Sequence, residues 1–446
     1  MPLAHIEHRS NEINMIPINK PMIGEEERRE VLEVLDENST LTSPAKDGGK
    51  KVQNFEQLLR EFLHVKHAIA VNSGTAALYS SFVALGIKPG DEIILPSFTF
   101  VATANAVIAA GGKPVFVDIK KQESDYTMDI QDLKSKFTDK TRVVVPVHLY
   151  GNPANLDEIG EVLRHSSNGY VDIVEDACQS LGSTYRNQQT GTFGLMGCFS
   201  MYASKVVTSG EGGAIVTNSD EIADRLKMIR NHGMVEGYDT RIFGLNLRLP
   251  EMSAAVAKAQ MLKLPKMLTQ RRRNAKLLTE LLSDSGTNST KSIAEFVTLP
   301  EHKMGIDEKE PNWYLYTLAF KRDGIRNNIL KKLITEYKIG AAVYYDPPVH
   351  KTPFYEEMAL ISRTPGVNIP KPTANHKHSL QLESSTGNST KKSIENSDIK
   401  TNSIKLTNTN WASKHVLSLP VHPLLTDQDI NYIAASLIET ISSCAS

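Results

Sequence analysis

Seven short runs of apolar, largely β-branched residues punctuate the chain: AIAV (68–71), EIILP (92–96), PVFVD (114–118), RVVVPVHL (142–149), VDIVED (171–176), CFSMY (198–202) and AIVTN (214–218). They are continuous rather than alternating, so each predicts a strand buried on both faces. Between most of them lie helix-like segments such as GTAALYSSFVALG (74–86) and VATANAVIAAGG (101–112). Strands separated by helices form a mainly parallel sheet flanked by helices, and the fold class is α/β. Upstream, GEEERREVLEVLDEN (24–38) opens with acids suited to a helix N-terminus and spaces Val31, Leu32 and Leu35 at helical intervals.

The character changes near residue 250. EMSAAVAKAQMLKLPKMLTQRRRNAKLLTELLSD (251–284) predicts long helical material, interrupted or kinked near Pro265. A strand is then expected at 313–320, a helix at 326–338 and a closing helix at 427–441. With 446 residues, two domains are expected. The reading is an N-terminal segment (1–40) packing near the active site, a large domain (41–262) and a smaller C-terminal α+β domain (263–446). Residues 373–410 are dense in Ser, Thr, Asn and Lys and predict a flexible surface insertion; 283–292 have the same look.

Composition narrows the function. Fifty basic and 51 acidic side chains leave a formal charge of -1, which gives no broad attraction to nucleic acid or to a membrane surface. Cys178, Cys198 and Cys444 are too few and too scattered for a disulfide framework or a paired metal site. The N-terminus reads as neither a secretion signal nor a lipidation motif, and no apolar stretch approaches the ~20 residues that cross a bilayer. A cytoplasmic protein that binds small molecules and no metal is expected.

An α/β sheet binds ligands at the carboxyl ends of its strands. No P-loop or dinucleotide fingerprint is present. Instead AIAV runs into Asn72, Ser73, Gly74 and Thr75 and then into an Ala-rich helix, which reads either as an N-cap or as an anion site at a helix N-terminus. Ser200 ends another strand five residues before Lys205. Asp176 ends a very apolar strand, where an acid is costly without a cationic partner. Lys205 lies in FSMYASKVVTSGEGG with no charged neighbour before Glu211.

An anion cradle, a carboxylate and a lysine are what pyridoxal 5′-phosphate (PLP) requires. Its phosphate must be anchored, its ring nitrogen kept protonated and its aldehyde joined to an amine. Ser73, Gly74, Thr75 and Ser200 suit the first need, Asp176 the second and Lys205 the third. An ordinary lysine, pKa ~10.4, carries the free amine in roughly one molecule in two thousand at neutral pH, so reactivity at Lys205 requires desolvation.

The stretches NSGTAAL, DEIILPSFTFVATANAV, PVFVDI, VPVHLYG, VEDACQSLGSTY, FSMYASK…GEGGAIVTN, IRNHGM and LNLRLPEMSAAVAKAQ, in this order, resemble the DegT-type family of PLP-dependent nucleotide-sugar aminotransferases, which have the aspartate aminotransferase fold (fold type I). The resemblance runs from about residue 16 to about 440, outside the Ser/Asn-rich segments. It implies that Lys205 carries the cofactor, that Asp176 partners the pyridine nitrogen, that Phe100 stacks on the ring and that Gln179 faces the ring oxygen or the other ring face. Asn246 matches an asparagine that reaches the phosphate from the second subunit of a homodimer with shared active sites. From the residues alone, Phe100 also reads as a core aromatic, Asn246 as a turn residue, and Arg248 as either a substrate contact or half of an ion pair. His148 reads as a packed histidine and His232 as shaping a loop; VYYDPPVHKTPFY (343–355) resembles the family's substrate-lining segment, which implies nucleotide-sugar contacts at Tyr345 and His350.

The implied reaction takes an amino group from an amino acid, glutamate by resemblance, to a keto sugar linked to a nucleoside diphosphate, within amino-sugar biosynthesis for cell-surface glycans. Three alternatives stand beside it: a PLP-dependent sugar dehydratase, a PLP enzyme acting on amino acids alone, and a non-catalytic regulator. The dehydratases replace the lysine by histidine, and Lys205 argues against that reading.

Overall fold

All seven apolar runs become strands of one sheet in the computed structural model, which describes residues 15–36, 40–120, 125–164, 171–283, 293–300, 309–361 and 404–445. The first five are β1 (His67–Val71), β2 (Glu92–Pro96), β3 (Lys113–Val117), β4 (Thr141–Val144) and β5 (Asp172–Asp176). Two-residue strands β6 (Thr184–Tyr185) and β7 (Gln188–Gln189) precede β8 (Met196–Ser200) and β9 (Gly213–Thr217). Across the sheet the order is β1-β9-β8-β5-β4-β2-β3. β9 runs antiparallel to both neighbours, and the other pairs are parallel. The connection from β8 to β9 therefore turns back at the carboxyl edge of the sheet, and it carries Lys205.

Helices α1 (Glu25–Asp36), α2 (Lys50–Leu63), α3 (Gly74–Ala84), α4 (Ala102–Ala109), α5 (Ile130–Lys136), α6 (Leu156–Arg164), α7 (Asp220–Ile229) and α8 (Glu251–Ser283) surround this sheet. Alternate residues of a strand face opposite sides. On β1, Ile69 and Val71 join Leu78 and Phe82 of α3, Val107 of α4 and Leu226 of α7, while Ala68 and Ala70 join Phe55 and Leu59 of α2 and Leu264 of α8. Both faces are thus buried, as the continuous apolar runs require.

Three expectations need correction. The 142–149 run ends as a strand at Val144, because Pro146 has no N–H to offer the ladder; Val147 rejoins by a single bridge to Asp176. CFSMY lies two residues late, since β8 starts at Met196. Helix α8 is continuous over 33 residues through Pro265, where neighbouring Leu264, Met267 and Leu268 are buried and hold it against the core. Packing outweighs the one hydrogen bond that proline removes.

A second core gathers around β10 (Val297–Thr298), β12 (Tyr316–Phe320) and β13 (Val416–Leu419), an antiparallel sheet of order β10-β12-β13. Helices α9 (Ile325–Thr335) and α12 (Asp427–Ala445) and the end of α8 cover it through Ile329, Leu333, Leu437 and Leu278. Strand β11 (Lys309–Glu310) instead joins β6 and β7, and helices α10 (Pro353–Ile361) and α11 (Thr407–His415) complete the described elements. Residues 373–403 of the expected insertion lie outside the described residues, as do 284–292 and 1–14. The insertion as drawn extends too far: Leu406 is buried, and the Asp118 carboxylate accepts the N–H groups of Asn408 and Thr409 at 2.9 and 2.7 Å, anchoring α11 from its first turn. No helix among the described residues is long and apolar enough to cross a membrane.

Candidate active site

A cleft of about 550 Å³ opens at the carboxyl edge of the large sheet and is lined by Ser73, Gly74, Thr75, Phe100, Asp176, Gln179, Ser200 and Lys205, among others. Eight of the nine residues assigned to the cofactor from the sequence therefore meet, and Asn246 does not. Each strand end supplies one part.

At the end of β1 the chain turns into α3. Ser73 Oγ accepts the N–H of Ala76 (3.0 Å), so the N-cap reading is correct for that hydroxyl. The leading N–H groups of a helix have no intrahelical acceptor, and those of Gly74 and Thr75 are available to an anion at the cleft. Two glycines permit the geometry. A Cβ on Gly74 would stand 2.8 Å from Ser200 Cβ, and one on Gly213 would stand 2.3 Å from the carbonyl oxygen of Ser73. The cap and serine end of β8 can approach each other only because both positions lack side chains.

At the end of β5, Asp176 is 6% exposed. Its Oδ2 accepts from Thr103 Oγ1 (2.8 Å) and its Oδ1 from the N–H of Cys178 (3.2 Å). No basic side chain pairs with it among the described residues. Lys205 is half-buried, with its Nζ 4.7 Å from the centroid of the Tyr314 ring and no carboxylate partner among the described residues. Gln179 is aimed by two bonds: its Oε1 accepts from Tyr150 N (2.7 Å), and its Nε2 donates to Tyr345 Oη (3.1 Å). Phe100 is 54% exposed at the cleft, its ring 5.9 Å from that of Tyr345, which removes the core reading.

The remaining candidates separate clearly. Asn246 is exposed, paired with Asn231 in an isolated antiparallel bridge, and its carbonyl accepts from Asn72 Nδ2 at 3.4 Å. Arg248 Nη1 donates to Asn231 Oδ1 (2.6 Å), a bond to an amide rather than an ion pair. His148 is fully buried; Ala154 N donates to its Nδ1 (3.0 Å), so the proton sits on Nε2 and donates to Glu175 Oε2 (2.9 Å). It is a packing residue. His232 occupies a left-handed turn at φ 57°. His350 is buried against Ser97 Oγ (2.7 Å) with its pKa pushed down to about 4 by burial, and it is absent from the cleft, whereas Tyr345 lines it. Cys178 also lines the cleft, but burial and the Asp176 charge push its thiol pKa well up, so it is no nucleophile. No cluster of His, Cys, Asp and Glu among the described residues has the form of a metal site.

Sequence reasoning missed Thr103, Tyr314 and Tyr344 in the cleft. Thr103 had a visible signal, a hydroxyl in an otherwise Ala- and Val-rich helix. Tyr314 had none, being 110 positions from the Ser204 hydroxyl it touches.

The cleft therefore brings together a buried carboxylate, Asp176, an amine, Lys205, and the N-terminus of α3. These residues fit PLP: Asp176 would face its protonated ring nitrogen, Lys205 its aldehyde and the α3 cap its phosphate. This defines the class, a fold type I PLP enzyme. The model of the DegT/DnrJ/EryC1/StrS aminotransferase family matches residues 21–391, and the chain belongs to that family. It is 35% identical over 283 residues to the GDP-perosamine synthase of Caulobacter vibrioides, covering 63% of this chain and 74% of that one. It is 36% identical over 310 residues to the dTDP-3-amino-3,4,6-trideoxy-alpha-D-glucose transaminase of Streptomyces venezuelae, covering 69% and 76%. Among solved structures, Streptomyces venezuelae DesV in complex with a ketimine intermediate superposes with a TM-score of 0.73 at 29% identity, over 93% of this chain and 94% of that chain. The protein is an aminotransferase, and PLP is its cofactor.

Proposed function

We propose that the protein transfers an amino group from an amino acid, with glutamate as the donor, to a keto group of a sugar linked to a nucleoside diphosphate. The product would serve amino-sugar biosynthesis for cell-surface glycans. The relatives support this reading, one being named for a GDP-linked and the other for a dTDP-linked compound. The observation that carries it is the meeting of buried Asp176, Lys205 and the α3 N-terminus in one cleft at the carboxyl edge of the sheet.

When bound, PLP supplies an electron sink for the carbon that loses a proton. The chain supplies the rest. Asp176, fixed by Thr103 and the Cys178 N–H, keeps the ring nitrogen protonated. Ser73, Gly74, Thr75 and Ser200 would hold the phosphate, Phe100 would pack against the ring, and Gln179 would offer it an amide already anchored by Tyr150 N and Tyr345 Oη. Lys205 Nζ would be the proton carrier in both half-reactions, removing one from the donor's carbon in the first and delivering one to the acceptor's carbon in the second. Asn246, exposed and outside its own cleft, is assigned to the phosphate of a partner's site in a homodimer. On this reading Lys205 and Asp176 are the catalytic residues.

The test is to incubate purified protein with PLP, glutamate and a panel of keto sugars on GDP, UDP and dTDP, following amino-sugar formation by mass. Amination of at least one nucleotide sugar is expected. Amination of keto acids alone would overturn the substrate assignment.

A further inference from the structure

Lys205 has no carboxylate partner among the described residues, yet its nitrogen is not loose. Nζ stands over the face of Tyr314, 4.7 Å from the ring centroid, and a cation there is attracted by the ring's quadrupole. The Tyr314 hydroxyl lies 3.1 Å from Ser204 Oγ, one residue before the lysine. One tyrosine thus touches both the amine and the loop that carries it.

Tyr314 is itself fixed from behind. Its N–H donates to Asn312 Oδ1 (2.8 Å), and Arg271 Nη1 donates to the carbonyls of Trp313 (3.1 Å) and Tyr314 (3.3 Å). Arg271 Nη2 donates to Asn19 Oδ1 (2.7 Å), and Asn19 Nδ2 donates to the Ser204 carbonyl (2.5 Å). These contacts close a circuit from Ser204 through Tyr314, Arg271 and Asn19 back to Ser204, drawn from four distant stretches of chain. Arg271 is 2% exposed, and burial brings its pKa down to about 10. No acid pairs with it among the described residues. A buried guanidinium without a counter-ion is costly; three oxygen acceptors, two of them on the Tyr314 segment, are what it gains. Trp313 adopts φ 55°, a left-handed backbone unusual for a bulky residue, so the segment is held in a conformation its own preferences oppose.

We propose that Tyr314 is a positioning residue for Lys205: its ring receives the free lysine ammonium, and its hydroxyl, with the Arg271–Asn19 clamp, holds the lysine loop so that Nζ stays in the cleft. The inference deepens the assignment of Lys205 as the reactive amine and rests on it. Whenever the lysine is released, its nitrogen has a fixed resting place within reach of the reacting atoms. Without the ring it would sample solvent and return slowly.

The test uses the full chain stripped of cofactor. Two quantities are read for wild type, Tyr314→Leu and Tyr314→Phe: the rate at which the visible band appears on adding PLP, and the affinity for pyridoxamine phosphate, whose binding needs no lysine. Misplacing a reacting group by about 1 Å costs up to ~10²-fold, so Tyr314→Leu should slow the band by about tenfold or more. Tyr314→Phe keeps the ring and loses only the hydroxyl contact to Ser204, leaving the Asn19 hold on the loop, so the band should slow by no more than about threefold, and pyridoxamine phosphate affinity should be unchanged in both. A wild-type rate in Tyr314→Leu, or a parallel loss of pyridoxamine phosphate binding, would overturn the proposal. Where Tyr314→Leu does not fold, Asn19→Ala unhooks the clamp without touching a core: a slowed band at unchanged pyridoxamine phosphate affinity supports the proposal, and an unchanged rate contradicts it. Failure of the parent assignment is distinguishable, because Lys205→Ala would then retain the visible band.

Discussion

Glu175 and Asp176 are consecutive, both buried at the end of β5, and opposite in character. The Glu175 side is saturated: Oε1 accepts from the N–H groups of Phe193 and Gly194 (2.7 Å each), and Oε2 from Gly191 N (2.7 Å) and His148 Nε2 (2.9 Å). The Asp176 side is not. It has one hydroxyl and one N–H, and it faces the cleft. Because strand side chains alternate faces, one step along the chain moves a carboxylate from a structural knot to a ligand site. Burial alone does not mark function; burial with bonding capacity left over does.

The largest effect that could break this comparison is at the amine opposite Asp176. Lys205→Ala should lower turnover by about 10³-fold or more with an unchanged melting temperature, as loss of a proton-transfer group predicts; steady-state rates and thermal melts check both halves. Next, Asp176→Asn should lower turnover by about 10²- to 10³-fold while leaving urea stability within ~1 kcal/mol, since the two donors to it can still be met. Glu175→Gln should invert that pattern. Its amide nitrogen would face N–H donors, costing about 1–3 kcal/mol in the urea midpoint, while the folded fraction keeps its activity. If Asp176→Asn and Glu175→Gln shift stability and activity alike, the contrast between them is wrong.

The effect farthest from the cleft, and the smallest on activity, concerns buried histidines elsewhere. His350 and His422 have pKa values pushed from 6.5 to about 4, chiefly by burial. A base whose folded pKa is depressed stabilises the fold fully above its unfolded pKa, and that contribution is lost as pH falls from about 6.5 toward 4. Urea midpoints measured across this window should therefore decline, by about 1–3 kcal/mol per histidine at the acid end. A flat profile would contradict the burial of these rings.

Much of this was legible in the residues, for identifiable reasons. Seven continuous apolar runs marked seven strands because a sheet covered on both faces leaves no polar alternation. NSGT, VEDACQS and FSMYASK marked the cleft because each couples a strand end to unusual chemistry within a few positions. What was not legible depends on long-range packing. Helix α2 was not read at all, although Phe55 and Leu59 anchor one face of the sheet. Pro265 suggested a break that burial overrides, and Leu406 with Asp118 ends the polar insertion earlier than composition implied. Glu175 was not read at all, since no local pattern reveals that three N–H groups from 191–194 converge on it. Asn19, Arg271 and Tyr314 meet around Lys205 only through the fold.

The most direct measurement is an absorbance spectrum of the PLP-loaded protein titrated with glutamate, with the released keto acid quantified. The account predicts a visible band that fades toward the near-ultraviolet as one equivalent of keto acid appears per site, and that returns when a keto nucleotide sugar is added. A band that no amino acid alters, or one that persists in Lys205→Ala, would contradict it.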